Sequence, residues 1–233
     1  MRQPETQAGS GGRSSPWSAA AKAVPLVLLR PLVFVLLAAC LAPAWAQPVP
    51  LIAAVAAGNL EEVERLLAGG APVDARNADG ETALYLAAEQ GRVAIAGALL
   101  RQRADVNLST NNGETVLHAA AFNGDPALMQ LLLDRGADPN RANRDGERPL
   151  SWAAMSGMGR AAQLLLDRGA EINAVDARGN SALHGAADAG HETAAWLLLD
   201  QGANRALRNV AGETALDLAR RRGNGAIVEL LQR

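Results

Sequence analysis

Apolar residues in this chain come in short bursts of about two helical turns, each closed by a glycine. In GETALYLAAEQG, residues 80–91, Leu84, Ala87 and Ala88 fall on one face at helical spacing. Thr82 stands just ahead of them, where a hydroxyl can accept a free helix-start N–H. Gly91 follows, and glycine takes the left-handed backbone that ends a helix at little cost. A second apolar-periodic run covers about Val93–Gln102, with Ile95, Leu99 and Leu100 on its inward side. Further along, Asp125-Pro126 opens the matching helix with a cap and a first-turn proline. Another glycine then ends each second helix, at Gly136, Gly169 and Gly202. GADPN, GAEIN and GANRA lead from there into an extended turn.

The pattern repeats with a fixed step. Gly80, Gly113, Gly146, Gly179 and Gly212 are each 33 residues apart. So are Leu51, Leu84, Leu117, Leu150, Leu183 and Leu216, and so are Ala54, Ala87, Ala120, Ala153, Ala186 and Ala219. A constant period of this length means stacked supersecondary units, each burying a face that it cannot bury alone.

The motif at each helix start is similar to the T-P-L-H-x-A pattern of the ankyrin repeat. It stands as Thr82-Ala83-Leu84-Tyr85, Thr115-Val116-Leu117-His118, Arg148-Pro149-Leu150-Ser151, Ser181-Ala182-Leu183-His184 and Thr214-Ala215-Leu216-Asp217. LLLDRGADPN and LLLDRGAEIN match the family's second half. The resemblance covers residues 48–233. It implies an all-α solenoid of about six helix-turn-helix units with β-turn tips, at about 48–76, 77–109, 110–142, 143–175, 176–208 and 209–233. The first unit lacks its leading turn.

Composition agrees. Of the 233 residues, 49% are hydrophobic but only 3% aromatic, so the core is built from Ala and Leu, which suit close helix packing. The net charge is −2 with no basic block, which gives no sign of a nucleic-acid partner. Cys40 is the single cysteine, which excludes a disulfide framework and a cysteine-based metal site.

Residues 1–46 read as an address. A polar, glycine-bearing stretch, expected to be disordered, precedes Arg30 and the apolar run Leu32–Ala42, which is short for a bilayer span. Pro43 and the small-residue site Ala44-Trp45-Ala46 follow, as in a bacterial-type secretory signal cleaved after Ala46. The polar stretch is long for such a signal, so translation starting near Val24 is a second expectation. Leu37-Ala38-Ala39-Cys40 resembles a lipobox and offers a rival cut, with a lipid anchor on Cys40. The expected location is periplasmic or secreted. From residue 47 on there are 18 arginines, no lysine and 23 acidic side chains, with no cysteine to mispair in an oxidising compartment.

Glu114 and His118, four apart on one helical face, have the spacing of a base with its orienter or of two metal ligands. The repeat offers another origin. By the resemblance, the motif histidine at 118 and 184 is a buried bolt bonded to backbone, and His191 fills the Gly-His position that begins a second helix. The Glu81, Glu114, Glu147, Asn180, Glu213 column reads as a solvated acidic stripe at helix starts, where the dipole favours negative charge. No nucleophile elbow, zinc-protease, phosphate-loop or paired-cysteine motif occurs. No enzyme activity, metal or cofactor is expected, and a metal or enzymatic site at His118 and His184 is the weaker alternative.

The expected function is an exported interaction module that binds a protein through its concave face, with a secreted effector acting on host proteins as the alternative. In the family that face combines turn tips with the exposed side of the first helix. The columns that vary there nominate Glu89, Phe122, Asn123, Met155, Asp188 and Arg221 on the helices, and Asn111, Arg144 and Arg178 on the tips. Phe122 and Met155 fall in adjacent units and form the expected centre. Trp152 and Trp196 read as packing residues, and Arg220-Arg221-Arg222 as a polar cap. Two departures weaken the scaffold. Arg103 replaces the glycine of its column and must turn left-handed, and Arg148 replaces the capping threonine, partly offset by Pro149. With Gly97 inside a helix, they mark units two to four as the place where opening begins.

Overall fold

Each 33-residue period folds as a pair of short helices, because two helical runs are punctuated by left-handed glycines. The computed structural model describes residues 49–233. The expectations placed on residues 1–46, namely the disordered stretch, the secretory signal and the lipobox at Cys40, lie outside the described residues. Within them the pairs are α1 (Pro50–Ala57) with α2 (Leu60–Ala68), and α3 (Ala83–Glu89) with α4 (Val93–Arg101). Next come α5 (Val116–Asn123) with α6 (Pro126–Asp134), and α7 (Pro149–Met155) with α8 (Gly159–Asp167). The last are α9 (Ala182–Ala189) with α10 (Glu192–Asp200), and α11 (Ala215–Arg222) with α12 (Gly225–Gln232). This is the all-α stack of about six units that the period predicts. No helix among the described residues is long and apolar enough to cross a membrane.

The first helices stack in sequence, α1 on α3 through to α9 on α11, and the second helices form a parallel row behind them. The reason lies in the residue types. In α5 six of eight residues are buried, Val116 through Ala121, so the helix is covered on nearly every side. A single unit could not supply that cover. The leucines Leu51, Leu84, Leu117 and Leu183 are essentially inaccessible, each worth about 1.5–3 kcal/mol of burial. The alanines between them let neighbouring helices approach. The second row is sparser between α4 and α6 than elsewhere, and Gly97 sits in α4.

The tips form a second, polar zipper. Asn111 N–H donates to Asp79 O at 2.9 Å, and Arg144 N–H to Asn112 O at 2.8 Å. Ala177 N–H donates to Asp145 O, and Val210 N–H to Arg178 O, both at 2.8 Å. Single antiparallel bridges, Arg76 to Thr82, Ser109 to Thr115 and Val175 to Ser181, close three of the tips.

Capping follows the sequence closely. Thr82 Oγ1 accepts the Tyr85 N–H at 3.1 Å, and Asp125 Oδ1 accepts from Ala127 and Leu128 at 2.9 and 3.0 Å. Arg148 caps with no side-chain acceptor, as expected. Ser151 Oγ instead accepts the Arg148 N–H at 3.2 Å and donates to its carbonyl at 2.7 Å. Glycine at the end of a first helix does two things at once. At Gly157, φ is 71°, and a Cβ there would lie 2.6 Å from Nδ1 of His191 in the next unit. Arg103 has φ 61°, the one non-glycine residue among those described with a positive φ, where Gly70, Gly136, Gly169 and Gly202 hold the same turn at 83–88°.

Candidate functional site

The fourth residue of each motif decides how one unit is clasped to the next. In the third unit it is His118, fully buried. Its Nδ1 accepts the Thr115 N–H at 3.0 Å, so Nε2 carries the proton and donates to Glu147 O at 3.1 Å, 29 residues on. His184 repeats this with Ser181 and Glu213 O, at 3.2 Å each. Desolvation pushes the His118 imidazole down to about 4 and moves His184 in the same direction. A ring with both nitrogens spent and no solvent access is a structural bolt, as the resemblance implies. Tyr85 takes this position in the second unit, and its hydroxyl donates to Glu114 Oε2 at 2.8 Å. Asp217 in the last unit makes only the near half, accepting from Thr214 N–H at 2.9 Å and Thr214 Oγ1 at 2.7 Å.

Ser151 breaks the series. It is too short to reach Asn180, the residue 29 on. A cavity of about 10 Å³, room for about one water, lies beside it, lined by Leu150, Val175, Asp176 and Asn180 among others.

The carboxylate column is not the solvated stripe the sequence suggests. Glu147 is 1% exposed, and Glu81, Glu114 and Glu213 are only partly exposed. The tip folds an asparagine four residues back over three of them. Asn143 Nδ2 donates to Glu147 Oε2 at 2.9 Å, and Asn77 and Asn209 do the same for Glu81 and Glu213. Glu147 Oε2 also accepts from Trp152 Nε1 at 3.1 Å, while its Oε1 has no donor. Desolvation pushes the carboxyls of both Glu114 and Glu147 up. Sequence reasoning missed these two environments; the usable signal was a tyrosine or tryptophan near a glutamate of the same face.

Trp152 is 7% exposed and packs edge-on against two rings, His118 at 5.5 Å and Phe122 at 6.1 Å between centroids. Phe122 itself is 49% exposed. The ring it stacks on is thus Trp152, while Met155 is partly buried on the same helix. Trp196 departs from the packing role expected of it, since half of its surface faces solvent on α10.

Several nominated residues have internal work. Asn123 Nδ2 donates to Ala88 O at 2.7 Å and Glu89 O at 2.5 Å, capping the carbonyl end of α3. Asn111 Nδ2 donates to Ala78 O at 2.9 Å. Asp188 accepts a two-pronged contact from Arg222 at 2.8 Å on each arm, and Arg221 pairs with Glu213 at 2.6 Å. Arg144 and Arg178 are exposed on the tips, and Glu89 is exposed at the end of α3. Phe122 therefore stands out as the large apolar group exposed on the first-helix row.

Charge divides along this face. Tips and first helices of units two to four carry Asp79, Glu81, Glu89, Glu114, Asp145 and Glu147 against Arg76, Arg144 and Arg148; Arg76 spends its guanidinium on Ser109 O and Arg148 pairs with Glu171. In units five and six, Asp188 and Glu213 are matched by Arg221 and Arg222. No three His, Cys, Asp or Glu side chains gather as a metal would need, among the described residues.

A family model described as ankyrin repeats (3 copies) matches the chain at residues 32–110, 51–143, 98–176 and 150–233. None of the curated proteins compared with the chain matches it.

Proposed function

Since the chain belongs to the ankyrin-repeat family, we propose that it is an exported adaptor that holds a protein partner on its first-helix and tip face. Ankyrin repeats are generally protein–protein interaction modules and typically not catalytic. The observation that carries the reading here is Phe122. A half-exposed aromatic ring, held edge-on by a buried tryptophan, loses little conformational freedom when a partner covers it. Catalysis finds no support at His118 or His184, whose nitrogens are bonded inside the stack. Export rests on residues 32–47 as a cleavable signal, with release into the periplasm or medium, or anchoring through Cys40 if the lipobox is cut.

Crosslinking and capture from the envelope fraction of the source cell tests both parts. Phe122→Ala with Met155→Ala is expected to lose the partner that the wild type recovers, while melting normally. Unchanged recovery would remove this face from the reading. Mass spectrometry of the mature N-terminus is expected to show Gln47 first, and a lipidated Cys40 would move the protein to a membrane surface.

A further inference from the structure

We propose that the cleft between the ends of α4 and α6 binds a glutamate- or aspartate-bearing segment of a protein partner, at a site separate from the face that carries Phe122. The cleft is open and measures about 750 Å³. It lies where the second row of helices is sparsest. Leu100, Ala104 and Val106 form its buried floor, and Arg101, Arg103 and Arg135 stand exposed around it. Asp105 is the acidic side chain among its lining residues, and its Oδ1 accepts the Asn107 N–H at 2.8 Å.

The repeat itself shows what this cleft lacks. One unit on, Arg168 reaches back to Asp134, the residue that ends α6, at 3.2 Å. Arg135 stands in the column of Arg168, and Arg101 stands in the column of Asp134, Asp167 and Asp200. The carboxylate that would answer Arg135 is therefore an arginine. Arg135 turns to a backbone oxygen instead, its Nη1–H donating to Leu100 O at 2.9 Å. Arg101 leans the other way, to Glu64 of α2 at 3.1 Å, in an exposed pair that water screens. Arg103 adds a further cation in the glycine column, on a left-handed backbone with φ 61°. Among the described residues neither Arg103 nor Arg135 forms an ion pair, with Asp105 or with any other carboxylate.

An incoming carboxylate takes the place that Asp134 fills for Arg168, and guanidinium groups bind it by charge-assisted hydrogen bonds. The carbonyl end of α4 does not forbid it, since α6, α8 and α10 each end on an aspartate at the same position. A strained arginine with no internal partner costs folding energy, and such strain is kept where a ligand uses it. A nucleic acid fits less well. From residue 47 on, 23 acidic side chains against 18 arginines repel a long polyanion, while a short acidic segment meets only the cleft.

The probe is a fluorescein-labelled (Glu-Gly)6 peptide, with (Gln-Gly)6 and (Arg-Gly)6 as its neutral and basic counterparts, titrated against the full chain by anisotropy. The acidic peptide is expected to bind, with affinity falling as salt rises, and the other two about tenfold more weakly or worse. Arg103→Gly and Arg101→Asp are each expected to weaken it about tenfold. Both restore what other units carry at that position, so neither should disturb folding, and a urea melt checks this. Arg160→Gln, which removes an exposed arginine of α8 outside the cleft, should leave binding unchanged. No binding, equal binding of the neutral peptide, indifference to Arg103→Gly and Arg101→Asp, or an equal loss with Arg160→Gln overturns the proposal. So does an oligouridylate that binds more tightly than the acidic peptide.

Discussion

The Nε2–H of His118 and the carbonyl of Glu147 meet at 3.1 Å across the boundary between the third and fourth units. The bond joins a helix to its neighbour's tip, while Nδ1 at the other side of the ring accepts the Thr115 N–H and can do so only while the ring is neutral. Burial pushes the imidazole down to about 4, against about 6.5 in an unfolded chain. The unfolded chain therefore takes up the proton first. The stabilisation is complete above about pH 6.5 and is lost as pH falls toward about 4, on the order of 3 kcal/mol in all. His118→Asn is expected to lower the urea midpoint at neutral pH, and the gap to wild type should shrink across that window. A gap independent of pH would contradict this assignment.

Glu147 works in the opposite direction. Its carboxyl is pushed up by burial, so the folded chain holds the proton more readily than the unfolded one. Its contribution is favourable below the ordinary carboxylate range and is lost as pH rises through the raised value. At neutral pH a buried charge with one unsatisfied oxygen is a burden. Glutamine keeps an acceptor for Trp152 Nε1 and Asn143 Nδ2. Glu147→Gln is expected to raise neutral-pH stability by about 1 kcal/mol, with the gain fading in acid. An equal or lower urea midpoint near neutrality would count against it.

Ser151 offers a rung that can be restored. A histidine there would turn Nδ1 to the Arg148 N–H and place Nε2–H toward Asn180 O, as His118 does toward Glu147, with the neighbouring side chains giving way around a water-sized void. Ser151→His is expected to stabilise the boundary between units four and five by about 1 kcal/mol, seen as slower amide exchange in α9. Faster exchange would mean the ring does not fit.

Arg103→Gly isolates backbone strain. At Gly70, Gly136, Gly169 and Gly202 a Cβ would meet nothing within 4 Å, so the cost of a side chain in this turn is conformational rather than steric. Removing it at Arg103, φ 61°, is expected to add about 1 kcal/mol to stability. Gly97→Ala should add a similar amount, since its Cβ would approach only the end of Arg101, at 3.8 Å. A midpoint that does not rise for Arg103→Gly would show that the guanidinium side chain repays its strain by contacts.

Much of this molecule can be read along the chain. The 33-residue step, the threonine cap at Thr82, the Asp125-Pro126 start and the left-handed Arg103 depend on local backbone rules, and each stands where the sequence places it. The binding face was less legible. Asn123 and Asp188 vary between units, as recognition residues do. Yet one caps α3 and the other grips Arg222, because residues 34 apart become neighbours only when units stack.

The sequence alone determined the period, the helix pairs and the order of stacking, since these follow from helical spacing, capping chemistry and the need of each apolar face for cover. Only the tertiary structure decided which charges and rings are free. It buried Glu147 under an asparagine and a tryptophan while its column looked solvated, and it left Phe122 in the open beside them. Exposure is set by what the neighbouring unit presents at each position, and a pattern of residue types within one unit does not contain that information.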